Sequence, residues 1–244
     1  MSRVGWGIAL DGGQFDLELW QETLKPPYDP WVVTTERGLV LRSATLDAAT
    51  SSSEAYDLSE PLLDLLNGAF AVSHQAQTVK NHGIVEFMAD GSERRHVFAR
   101  GASLVMRVRT RATAVVIGPD GKPKPPPPPE QSKPQQWLQI AATDEILADA
   151  LTYYSRGDDW FDIFKALECL FLRFGGEKQF LDLGWASKSQ IELLRRTANN
   201  ERHARLKNKS IPNPMDRSEA RQLLSTLITR AFQEVGEPPQ DSGS

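Results

Sequence analysis

Two hydrophobic periods divide the chain. Up to about residue 118 apolar and polar positions alternate, as they do along a strand whose two faces meet different surroundings. From about residue 137 the apolar positions recur every three to four residues, as on the buried stripe of a helix. In the first part, Leu104, Met106, Val108, Ala112, Ala114 and Val116 form one face of a long ribbon, and Arg107, Arg109 and Arg111 stand on the other. Segments 83–88 and 94–99 read as a hairpin around Ala89-Asp90-Gly91-Ser92, because Asp-Gly supplies the positive φ that tight turns need. Shorter strands are predicted over 4–10, 15–20, 31–35 and 39–43. One helix is predicted over 53–73, where Leu58, Leu62, Leu65, Leu66, Ala69 and Val72 keep near-helical spacing and Pro61 marks a kink or the first turn.

After residue 137 the pattern is helical throughout. Ile146, Leu147, Ala150, Leu151 and Tyr154 make a stripe that stops at Gly157; Phe161, Phe164, Leu167, Leu170, Phe171 and Phe174 make a second that ends at Gly175-Gly176. A short turn over 177–183 follows. Ser187 with Gln190 is a capping box opening a helix over 187–208, and Asp216 with Glu219 opens the last one. That last helix carries Ala220, Leu223, Leu224, Leu227, Ile228, Ala231 and Val235, whose burial is worth on the order of 10 kcal/mol. The predicted class is α+β: a strand-rich N-terminal domain over 1–118, a proline-rich linker over 119–136, an all-α helical bundle over 137–236 and a disordered tail over 237–244. The linker assignment rests on the unbroken proline run 125–129, which removes backbone donors and favours an extended spacer over a packed strand.

Composition narrows the picture. The chain has 244 residues, with 40% hydrophobic and 25% charged positions, which suits an ordinary folded protein. Cys169 is the sole cysteine, so no intramolecular disulfide or multi-cysteine metal site can form, which fits a reducing compartment. No apolar run approaches the roughly 18–20 residues that span a bilayer, and the first twenty residues lack a signal-peptide core. A cytoplasmic protein without a membrane partner is expected. His74, His82 and His96 are scattered without ligand spacing, so no metal or cofactor is predicted.

The candidate chemistry lies on the helix over 187–208. Arg196, Asn199, Asn200 and His203 occupy positions i, i+3, i+4 and i+7, which project from one side of a helix. Around them Arg195, Arg196, Arg202, Arg205, Lys207 and Lys209 face Glu201 alone; six against one leaves a local +5 in a chain of net charge −4. A basic patch on an acidic protein points to an anionic partner, here RNA. A guanidinium can grip a phosphate in a bidentate manner, and an imidazole titrating near neutrality can move a proton, so the pair suits metal-free cleavage of a phosphodiester by its own 2′-OH. The two carboxamides would orient the scissile group.

An arginine, six intervening residues and then a histidine, late in a C-terminal run of helices, resemble the HEPN superfamily (higher eukaryotes and prokaryotes nucleotide-binding). The resemblance covers about residues 137–235 and makes Arg196 and His203 the family pair. It departs from the usual pattern at Thr197, where the family commonly has Asn, Asp or His. It implies a metal-independent endoribonuclease site shared between two protomers, often in defence or toxin systems, and therefore a homodimer through the C-terminal bundle. Many such domains are non-catalytic, so the alternative expectation is a non-enzymatic interaction or dimerisation module, such as an antitoxin-like or sensor subunit.

Overall fold

A computed structural model of the chain describes residues 2–98, 128, 130–157, 159–202 and 211–236. The ribbon over 104–116 with its arginine face, the proline run 125–129 apart from Pro128, and the tail 237–244 lie outside the described residues. The chain divides into two compact units, Met1–Tyr56 with Val79–Ser132 and Asp57–Thr78 with Lys133–Ser244.

The first unit contains β1 (Arg3–Asp11), α1 (Gln14–Thr23), β2 (Trp31–Thr35), β3 (Gly38–Arg42) and α2 (Ala44–Asp47), then the start of α3 (Ser52–His74), then β4 (Lys80–Met88) and β5 (Glu93–His96). The five strands form one antiparallel sheet in the order β2-β3-β1-β4-β5. The central strand β1 is buried on both faces, which is why it reads as an apolar run: Trp6, Ile8 and Leu10 point one way, and Gly5, Gly7 and Ala9 the other. Ala9 packs with Val40 and Val85 in a small second core. Gly5 is required by its neighbours, because a Cβ there would lie 2.2 Å from Arg42 Nη2 and 2.5 Å from Asp47 Oδ1, the partners of an ion pair beneath it. The sheet is strongly coiled. Arg95 of β5 donates to Thr35 Oγ1 of β2 at 3.2 Å, although a flat sheet would hold these edge strands roughly 19 Å apart at its usual spacing.

The strand expected over 15–20 is instead α1. Phe15, Leu17 and Leu19 do alternate with polar neighbours, but the residues that are buried are Asp16, Trp20 and Leu24, at intervals of four, and Gln14 donates to Glu18 at the same helical interval, 2.9 Å. Period two over six residues was outvoted by that helical spacing.

Helix α3 runs unbroken through Pro61, which is neither its first turn nor its end. The strand-rich domain over 1–118 would hold all of α3, whereas the two units divide it after Tyr56. Its remainder, from Asp57 on, belongs with α4 (Lys133–Ala141), α5 (Glu145–Arg156), α6 (Trp160–Arg173), α7 (Glu177–Asp182), α8 (Lys188–Arg202) and α9 (Arg217–Gly236). Helix α4 begins inside the stretch expected to be linker: Pro134 takes an early helical position, where its missing N–H costs nothing, and both Pro134 and Gln135 are buried.

One hydrophobic core joins these helices, through Ala69 and Val72 of α3, Leu147 and Leu151 of α5, Leu167 of α6, Leu194 of α8 and Leu224 and Phe232 of α9. Phe232 stacks on Trp137 of α4 with ring centroids 4.9 Å apart. Gly68 lets α3 approach α5, since a Cβ there would lie 2.3 Å from the Leu151 carbonyl oxygen. Helix ends are capped as their sequences suggest: Asp144 accepts from Leu147 N at 3.1 Å, Asp159 from Asp162 N at 2.9 Å and Asp216 from Glu219 N at 2.8 Å. Asp144 is also ion-paired with Arg173, and Arg221 closes the end of α5 by donating to the carbonyls of Tyr154 and Gly157.

Candidate functional site

Helix α8 opens with the reciprocal box its sequence encodes: Gln190 N donates to Ser187 Oγ at 3.2 Å, and Ser187 N donates to Gln190 Oε1 at 3.1 Å. Its inner face is Ile191, Leu194, Thr197 and Ala198, all at most 1% exposed. Thr197 accepts a hydrogen bond from Met215 N at 3.2 Å inside the core, tying the segment before α9 to α8. Thr197 therefore serves packing.

The described part of the polar stripe lies on the flank away from that core. Arg196 is exposed, and among the described residues no hydrogen bond or ion pair engages its guanidinium. One turn on, Asn199 and Asn200 are half-buried. The Asn199 Oδ1 is buried and has no hydrogen-bond partner, which ordinarily costs about 1–3 kcal/mol. Arg195 differs from its neighbour: it is held by Glu177 of α7 at 2.6 Å and so is partly neutralised.

The structure thus brings Arg196, Asn199 and Asn200 to one flank and separates Arg195 from them. Arg202 is the last described residue of α8, and its side chain lies outside the described residues, as do His203, Arg205, Lys207 and Lys209 entirely. Glu177, 18 residues before Arg195, has no sequence signal as its partner, because helix periodicity reports only neighbours three and four apart.

A cavity of about 330 Å³ opens where three helix ends meet, lined by Asp159, Trp160 and Phe161 at the start of α6, Glu201 near the end of α8 and Arg217 at the start of α9. Trp160 packs half-buried against the core. Phe161, beside it, is 48% exposed. Helical spacing placed Phe161 on the buried stripe of α6, whereas in the structure that stripe runs through Phe164, Leu167 and Leu170 and leaves Phe161 exposed; Glu201 and Arg217 join it only through the tertiary fold.

Elsewhere the titratable groups are structural. His96 Nε2 lies 3.4 Å from Glu86 Oε2, and His74 Nδ1 lies 2.6 Å from Ser73 Oγ. Among the described residues no three His, Cys, Asp or Glu side chains converge as metal donors, and no helix is long and apolar enough to cross a membrane. Burial pushes the Cys169 thiol up to about 11, with Asp149 adding to the shift.

The molecule is a mixed protein with an N-terminal antiparallel sheet and mostly C-terminal helices. Compared with protein-family models, with curated proteins and with solved structures, the chain has no match.

Proposed function

We propose that the helical unit is a HEPN-like bundle that binds RNA and cleaves it without a metal ion, working in the cytoplasm as a homodimer in a defence or toxin setting. The observation that carries this reading is the contrast on α8: Arg195 is spent on Glu177, whereas adjacent Arg196 is exposed and unengaged beside the buried, unsatisfied Asn199 Oδ1. An arginine that stabilises nothing in the fold is available for a phosphate, and an orphaned acceptor suits a donor supplied by a ligand.

In the proposed reaction His203 takes the proton from a ribose 2′-OH. The 2′ oxygen attacks the adjacent phosphorus and the P–O5′ bond breaks, with a proton delivered to the leaving 5′ oxygen; the products are a 2′,3′-cyclic phosphate and a 5′-OH end. Arg196 holds the phosphate and stabilises the charge that develops on it, and Asn199 and Asn200 orient it. Arg202, Arg205, Lys207 and Lys209 extend the contact along the backbone as peripheral phosphate contacts. A second reading, a non-enzymatic interaction or dimerisation module, draws on the Arg195–Glu177 pair, which removes one of the six cations from the patch.

The test uses labelled single-stranded and structured RNA in chelator. Wild type is expected to cleave; His203→Ala to bind without cleaving; Arg196→Ala to lose both; Arg205→Ala and Lys207→Ala to bind more weakly, with a shallower salt dependence, and still turn over. A wild type that leaves RNA intact, or a His203→Ala variant as active as wild type, sinks the catalytic reading and leaves the module.

A further inference from the structure

The cavity at the meeting of α6, α8 and α9 has a composition that the reading of Arg196 does not use. Its volume, about 330 Å³, is at the lower bound of ligand sites, which run from about 300 to 1,000 Å³, so it suits a single base rather than a large ligand. Phe161 keeps 48% of its surface exposed at the rim, an arrangement that offers a ring face to a partner. Lys165 Nζ stands 5.9 Å from the centre of that ring and is ion-paired with Glu168 at 2.8 Å. Trp160 supplies the second aromatic surface, and Arg217, rather than Lys165, supplies the cation. Two aromatic rings with a flanking cation are the elements with which proteins hold an unpaired base and its phosphate.

The two carboxylates decide which base. Asp159 is committed to capping α6, its Oδ1 accepting from Asp162 N at 2.9 Å. Glu201 is exposed at the cavity and, among the described residues, carries no hydrogen bond or ion pair. A carboxylate accepts two parallel N–H bonds, and guanine alone among the four RNA bases presents an adjacent N1–H and N2–H₂ on one edge. Adenine and cytosine offer an amino group beside an acceptor, and uracil offers a single imide N–H between two carbonyls. A carboxylate presented to a base edge therefore favours guanine and repels the other bases' acceptor atoms.

We propose that this cavity binds a guanine base, stacked on Phe161 and Trp160, read on its N1/N2 edge by Glu201 and with its phosphate near Arg217. The base can come from a free nucleotide or from a single-stranded RNA. The site is separate from Arg196: Glu201 is five residues on, roughly 7.5 Å along the helix and about 140° around it.

Calorimetric titration of the full chain with guanosine and adenosine 5′-monophosphates, and with the trinucleotides AGA and AAA, tests this. The guanine ligand of each pair is expected to bind at least about tenfold more tightly than its adenine counterpart. Glu201→Gln, which places an amide donor against the guanine donors, should abolish that preference. Phe161→Ala should weaken the guanine ligands about tenfold, the lower part of the range for one base stacked on one ring, and Phe161→Tyr should restore them. Glu201 is exposed, so its variant keeps the test open should Phe161→Ala misfold. Binding of the monophosphate identifies a free nucleotide as sufficient; binding of AGA without the monophosphate identifies the strand as the source, and either supports the site. Equal affinity for guanine and adenine ligands, no binding of either, or an unchanged preference in Glu201→Gln overturns it. RNA cleavage that persists while guanine binding is absent removes this site alone; guanine binding without cleavage removes only the reading of Arg196 and His203.

Discussion

Gly68 offers a sharp test of how the helical unit is packed, because two known effects act there with opposite sign. In an exposed helix interior, replacing glycine by alanine stabilises by roughly 1 kcal/mol through helix propensity. In α3 the added methyl would sit 2.3 Å from the carbonyl oxygen and 2.8 Å from the carbonyl carbon of Leu151, and both are backbone atoms of α5 that cannot rotate away. Relief requires the two helices to part by about 1 Å, and overpacking of this kind costs about 1–3 kcal/mol. Separation also loosens the contacts of Ala69 and Val72, which belong to the same core as Leu151, so the upper part of that range applies. Gly68→Ala is therefore expected to lower stability by about 1–2 kcal/mol after the propensity gain is subtracted. Urea titration followed by circular dichroism reads this as a lower midpoint with an unchanged slope. A midpoint equal to wild type, or higher, would refute the close approach of α3 and α5.

Two further outcomes concern single side chains. Arg195→Ala should cost at most about 1 kcal/mol, since the Arg195–Glu177 pair is more than a third exposed on both sides, and should reduce RNA affinity less than Arg196→Ala does; the reverse order of the two affinities would overturn the division of labour on α8. Cys169, with its thiol near 11, keeps about one part in a thousand as thiolate at pH 8, so alkylation of the native chain should run about two orders of magnitude slower than that of a free cysteine and accelerate as pH rises towards 11; ordinary reactivity at pH 8 would contradict the burial of that thiol.

Periodicity located most elements because each buries one face against the rest, and burial imposes its period on the sequence whatever the partner. The strands over 31–35 and 39–43, the hairpin and the helices α5, α6 and α9 follow in this way. It failed where two periods fit the same short run, as in α1, and where a helix begins behind a proline, as in α4, since composition there announces a linker. The division of α3 between the units was equally hidden, because an apolar stripe states that a face is covered and is silent on what covers it.

The same limit governs the candidate site. Spacing alone placed Arg196, Asn199 and Asn200 on one flank, and the structure keeps them there, because a helix fixes its own neighbours at i+3 and i+4. What spacing cannot do is weigh one arginine against the next. Arg195 and Arg196 are adjacent and chemically identical, yet 100° of helix rotation turns the first towards Glu177 and leaves the second in solvent. Charge counted along the chain treats both as free cations; charge counted in space removes one of them. The cavity beside Phe161 makes the complementary case, since its aromatic, acidic and basic members come from three helices whose ends converge, and no window along the sequence contains them together. Function is better sought in residues the fold leaves unspent: among the described residues, Arg196 without a partner and Asn199 Oδ1 without a donor, and Phe161 exposed against its hydrophobic cost.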